Sequence, residues 1–312
     1  RYSLQAYKDL NPLSKLTLVN NMLNKQIIYC SSGIIFGGLF FVIHDAIINH
    51  LSYLNFKFYH HIVFGSPWIF LLFIYLLLSG NFKKYLSSSN YTILIIRGTI
   101  FLPIPFILFV SLQNISLAEW TTLNMLSPIL GMILAIIFLK EKINLFTVIS
   151  ITLGFIGVLF ILQPGFSNFN IYYLGPLFGA FTLALQSFLA NKFYNICSTL
   201  GFFIYGVLPV NLLSFILFYY DPLIDFELIK LSMFANFIVF IGFYCFTYAL
   251  QNSQKHFSSV FGLLYLQIFW SFIISIFIFN EYQNIIVILG ASFIIISGLL
   301  SLQAQKKQLN DY

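Results

Sequence analysis

Apolar residues in this chain come in runs of about 20, separated by short polar breaks. An α-helix rises 1.5 Å per residue, so about 20 residues cross a hydrocarbon core of roughly 30 Å. The runs predict ten membrane-spanning helices, over about 27–49, 55–78, 91–111, 118–139, 143–163, 171–191, 200–219, 233–250, 257–279 and 284–303. The period-two alternation of a membrane β-barrel is absent. Gly80-Asn81, Pro164-Gly165 and Asp221-Pro222 punctuate the breaks. The one expected loop of any length runs from Tyr220 to Ser232. Residues 1–26 and 304–312 read as polar tails, and no cleavable signal is expected ahead of the first run.

Two of the runs say the same thing twice. SPILGMILAIIFLKEK (Ser127 to Lys142) and QIFWSFIISIFIFNEY (Gln267 to Tyr282) are apolar helices closed by a glutamate, Glu141 and Glu281, 140 residues apart. Each leads through a polar turn into an apolar helix with glycines, Gly154 and Gly157 or Gly290 and Gly298. The first helices of the halves also align, at a shift of 142: His44 and Asp45 fall opposite Gln186 and Ser187, and Asn49 opposite Asn191. The chain therefore divides into repeats over 27–163 and 171–303, each of five spans. A tandem repeat in a membrane protein is most often a carrier with its substrate held between the halves.

Composition closes off the soluble alternatives. Hydrophobic residues make up 60% of the chain and charged ones 8%, with mean hydropathy +0.92, against about 25% charged in a soluble domain. The net charge of +6 is a topology signal. With the N-terminus cytoplasmic, twelve Lys and Arg fall in inside segments and two, Lys57 and Lys230, outside. Both termini are then cytoplasmic. Five spans is an odd number, so the second half enters the membrane inverted, and Glu141 and Glu281 end up on opposite faces. No soluble module carries a basic face, so no nucleic-acid partner is expected. Cys30, Cys197 and Cys245 have no metal or redox spacing and read as small apolar fillers.

A charge inside the bilayer costs about 2.5–3.5 kcal/mol or more, so each one calls for a reason. Asp45, beside His44 in the outer half of span one, is either a proton or substrate-ammonium site or a helix-end residue reaching water. His60 and His61 open span two, as titratable groups or as interfacial histidines. Glu119 opens span four, where an acid also suits the helix dipole. Arg97, two turns into span three, either snorkels to the interface, pairs with an acid, or holds a substrate carboxylate or phosphate. Glu141 and Glu281 sit unfavourably at helix C-termini, as gate latches or in interfacial ion clusters. Gln186, Tyr244, Tyr248, Gln251, Gln267 and Trp270 are the polar and aromatic candidates of the second half, with core packing as the competing reading for Trp270. Pro128, Pro103 and Pro105 should break their helices and free carbonyls near the midplane. No P-loop, nucleophile elbow, H-E-x-x-H or dinucleotide fingerprint is present, so neither enzyme activity nor a cofactor is expected.

The segment from Arg97, RGTIFLPIPFILFVSLQNISLAEWTTLNMLSPILGMILAIIFLKEK and onward, resembles the first EamA domain of the drug/metabolite transporter superfamily. The shared elements are an Arg opening span three, L-A-E before span four, Ser-Pro at its middle and F-L-K-E-K at its end. Residues 175–302 resemble the second EamA domain, with Glu281 kept and Ile268 in place of the Pro. Within the superfamily the chain looks most like the S-adenosylmethionine uptake and general metabolite carriers. The Asp of their first helix stands at Asp45. Their Lys position holds Ile48, Asn49 or His50, and their Arg position His60 or His61. The resemblance implies an all-α membrane protein of ten helices in two inverted repeats, in a bacterial cytoplasmic membrane. It also implies a central cavity and alternating access for a small organic metabolite, with or without protons. Monomer and homodimer both stay open. Proton-free exchange, and a scaffold that keeps the fold without transport, are the alternatives.

Overall fold

The computed structural model describes residues 12–54, 56–139, 145–162, 170–253 and 257–310. Among the described residues all regular structure is helical. Eight stretches are long and apolar enough to cross a membrane: 28–52, 58–78, 91–112, 117–138, 171–192, 199–220, 226–253 and 260–277. Two shorter apolar helices cover 148–161 and 285–300, the places of spans five and ten.

Several spans are broken. Span two is α2 (Phe58–Gly65) and α3 (Pro67–Leu78), and a short helix α4 (Phe82–Leu86) follows it. Span three is α5 (Tyr91–Phe101) and α6 (Ile104–Leu112), interrupted at Pro103, which has no N–H to give. Span four is α7 (Leu117–Asn124) and α8 (Ser127–Leu139), broken two residues before buried Pro128. Span nine breaks at the matching place with no proline. Between α13 (Phe257–Gly262) and α14 (Leu266–Phe277) lies the 3₁₀ turn Leu263–Tyr265, where the ring of Tyr265 packs on Gly298.

Helix α1 runs from Pro12 to Ser52, so helical residues precede span one where a polar tail was expected. Proline suits the first turn, where its missing N–H is no loss. Span five is α9 (Leu145–Leu162), span six α10 (Leu174–Lys192), span seven α11 (Thr199–Tyr220), span eight α12 (Phe226–Ser253) and span ten α15 (Ile285–Asn310). The expected long loop before span eight is mostly helix. Asp225 caps α12, accepting from the backbone N–H groups of Glu227 and Leu228 at 2.9 and 3.1 Å.

Packing joins spans one to five with spans six to ten throughout. Span one lies along spans eight and nine, and span six along spans three and four. Span seven lies against spans two and three, and span two against spans seven and eight. Spans five and ten form one long antiparallel seam. There Ser150 Oγ donates to the Ser297 carbonyl at 2.8 Å, and Ser297 Oγ to the Ser150 carbonyl at 2.6 Å. Further along, Gly157 and Gly290 meet backbone to backbone. A Cβ on either would stand 2.7 Å from the other's carbonyl oxygen. Small residues allow this approach, which is how helices attract one another in lipid.

Candidate functional site

Among the helices lies a cavity of about 170 Å³, walled by all spans except five and ten. A single water needs roughly 10–15 Å³, so this space accommodates an organic solute. Most of the wall is apolar, including Phe41, Phe101, Phe109, Phe203, Phe240 and Phe243. The polar groups facing it include His44, Asp45, His61, Asn124, Gln186, Asn236 and Gln267. Five of these were singled out in the sequence: Asp45, His44, His61, Gln186 and Gln267.

Three of them form a chain with a fourth. The imidazole Nδ1 of His44 is 2.9 Å from Asp45 Oδ1, and its Nε2 is 3.3 Å from Nε2 of His61. Asn236 Nδ2 is 2.9 Å from the same His61 Nε2, 3.1 Å from the His61 carbonyl oxygen and 2.9 Å from that of Ser232. Two carbonyls accept there, so the amide must present its NH₂ group. Asn236 fits because residue 65 is glycine; a Cβ on Gly65 would collide with its side chain.

Counting protons along this chain shows what it can do. A carboxylate only accepts, so His44 Nδ1 carries a proton. Asn236 Nδ2 has two hydrogens and three acceptors in reach; where one hydrogen goes to His61 Nε2 in place of a carbonyl, the two imidazole Nε2 atoms face each other as lone pairs. A proton bound at His44 Nε2 removes that opposition, and Asp45, on His44 Nδ1, balances its charge. His61 is 2% exposed, and the side chains of His44 and Asp45 are 13% and 19% exposed, so the proton would be held away from bulk water.

Other candidates fall outside this group. His60 turns away from the cavity: Nδ1 accepts from the Lys57 backbone N–H at 3.1 Å, and Nε2 donates to the Asp221 carbonyl at 2.8 Å. Glu119 closes a capping box with Ser116, and Tyr173 donates to its other oxygen at 2.7 Å. Glu281 accepts from Ser275 Oγ at 2.9 Å, and burial raises its carboxyl above the ordinary value. Tyr248 is exposed on the outer surface of the bundle. Trp270 packs against Phe269, with its indole N–H buried. Pro128 is buried one turn beyond Asn124, a cavity-lining residue whose side-chain oxygen is buried with no hydrogen-bond partner among the described residues. Glu141 lies outside the described residues.

Arg97 occupies a second, smaller recess of about 10 Å³ next to the cavity, with Gln186 and Thr247 also on its wall. It is 4% exposed. Its Nη1 donates to the Phe202 carbonyl at 2.8 Å, and the guanidinium lies 5.5 Å from the centre of the Phe202 ring. Gly206 gives it room.

Asn236, Asn124, Trp68, Trp120 and Thr247 were missed by sequence reasoning. For Asn236 a signal existed, a lone amide in the apolar run FANFIVFIGF, where lipid gives it no partner. Its meaning came only with His61, 175 residues away.

The helices are of membrane-crossing length and surround a polar-spotted cavity. Residues 24–163 match the model of the EamA-like transporter family. An uncharacterized transporter of Helicobacter pylori (strain ATCC 700392 / 26695) is 25% identical over 214 residues, 64% of this chain and 70% of its own length. The S-adenosylmethionine uptake transporter of Rickettsia prowazekii (strain Madrid E) is 26% identical over 240 residues, 73% of this chain and 77% of its own. A protein of known crystal structure superposes with a TM-score of 0.60 over 90% of this chain and 99% of its own, at 14% identity, a likeness of fold alone. These matches bear out the resemblance to EamA-type transporters of the drug/metabolite transporter superfamily, and they support a membrane transporter.

Proposed function

We propose that the protein is a secondary carrier that moves a small organic metabolite, such as an amino acid, a nucleoside or a related compound, and couples it to protons. The carrying observation is the Asp45–His44–His61–Asn236 chain on the cavity wall, with its open proton position between two imidazoles.

Alternating access needs two halves that can exchange roles, and the seam of spans five and ten supports that. A shift of 140 residues carries Ser150 onto Gly290 and Gly157 onto Ser297. The Ser150–Ser297 contact therefore maps onto the Gly290–Gly157 contact. The same exchange relates span one on eight and nine to span six on three and four. An inverted repeat explains both. In this reading the halves rock about the cavity, and protonation of the histidine pair accompanies substrate entry.

A second reading, exchange of S-adenosylmethionine or a similar cationic metabolite without protons, is favoured by the relative's name and by the acidic Asp45 on the wall. Uptake into proteoliposomes decides, using labelled amino acids, nucleosides and S-adenosylmethionine with and without an inward-acid pH gradient. Uptake that rises with the gradient supports proton coupling. Exchange indifferent to it supports the second reading. A protein that moves none of the panel would be a scaffold in a carrier fold.

A further inference from the structure

We infer that the recess beside Arg97 is an anion seat that takes one oxygen of a carboxylate on the transported molecule. This rests on the central cavity being the transport site. Arginine stays charged in any protein environment. A buried charge is normally paired. Among the described residues the ion pairs are His44–Asp45 and Lys57–Asp221, and neither involves Arg97. One guanidinium N–H meets the Phe202 carbonyl, a neutral group, while Nε has no partner. Thr247, 1% exposed, has its hydroxyl buried and equally unpartnered. Gln186 lines both the recess and the cavity and can supply an amide N–H.

Arg97, Thr247 and Gln186 thus all border a space of about 10 Å³, the room one water or one oxygen requires. A whole substrate does not fit there. One oxygen of a carboxylate held in the cavity is of the right size, and the recess adjoins the cavity along Phe101, Phe203 and Phe243. The cavity therefore carries a cation at the recess and an acid, Asp45, elsewhere on its wall. That polarity fits a molecule bearing both a carboxylate and an amine or other cation.

The test needs no knowledge of the substrate. Thermal unfolding of the purified protein in nanodiscs is followed with 100 mM sodium acetate, sodium chloride or acetamide, at matched ionic strength. At an acetate Kd near 10 mM the midpoint should rise by about 2 °C, with chloride and acetamide giving no such rise. Arg97→Gln should abolish the rise, Arg97→Lys reduce it and Thr247→Val about halve it. No rise with acetate, an equal rise with chloride or acetamide, or a rise that survives Arg97→Gln overturns the seat. Should Arg97→Gln fail to fold, an undiminished rise in Thr247→Val overturns it. Failure of the carrier reading looks different: the acetate response persists while no panel compound is transported.

Discussion

Replacing Gly157 by alanine probes the seam that joins the two halves. The new Cβ would lie 2.7 Å from the Gly290 carbonyl oxygen, 2.8 Å from Ile294 Cγ1 and 3.1 Å from Phe293 Cβ. Ile294 can turn aside, but the carbonyl belongs to the α15 backbone, so the two helices must separate. Overpacking of this kind costs about 1–3 kcal/mol. Gly290→Ala meets the reciprocal obstacle, the Gly157 carbonyl oxygen at 2.7 Å, together with Ile161. Its cost should match within about 1 kcal/mol. Once the helices have parted for one alanine the second is accommodated, so the double variant should cost less than the sum. Ser150→Ala, by contrast, removes hydrogen bonds worth about 0.6 kcal/mol each in a membrane interior. Thermal unfolding in detergent, read as the loss of intact protein by size exclusion, should rank Gly157→Ala and Gly290→Ala together, well below Ser150→Ala. Additive glycine effects, or a serine variant less stable than both, would refute the reasoning.

Gly65→Ala should push Asn236 off His61 and lower uptake of the panel compounds about tenfold while leaving helical content unchanged, as measured by transport and circular dichroism. Glu281→Gln should flatten the pH dependence of stability. Burial raises the folded-state pKa above the unfolded one, so the favourable contribution is full below the unfolded pKa of about 4.3 and is lost as pH rises through the folded value. Unfolding midpoints of both forms across that window check it, and the variant should lose less stability on the alkaline side.

Much of this architecture was legible in the sequence because lipid imposes simple rules. A run of 22 residues such as Thr199–Tyr220 had little choice but to be a helix. The break in span three followed from Pro103 and Pro105. The break in span nine at Leu263–Tyr265, which matches the one in span four, had no proline to announce it and depends on how Tyr265 meets Gly298, a contact from another span. At the site, Asp45, His44 and His61 drew notice as titratable groups at spans one and two. That His61 turns inward and His60 outward depends on Asn236 and Asp221, partners brought in by the second half. Glu119 shows the reverse. Its capping box with Ser116 is local and was readable, whereas the Tyr173 bond that holds it was not. Arg97 stood out as a charge in an apolar run, but its lack of an acidic partner among the described residues is a fact of packing.

The most direct test of the proton site is substrate-driven proton flux. Liposomes containing a pH-sensitive dye and the reconstituted protein are given each panel compound from outside, with no gradient imposed. The wild-type protein should acidify the lumen with its transported compound, and Asp45→Asn should still exchange labelled for unlabelled compound while the dye signal falls to baseline. Equal acidification by Asp45→Asn would contradict the assignment of the Asp45–His44–His61 chain as the proton carrier.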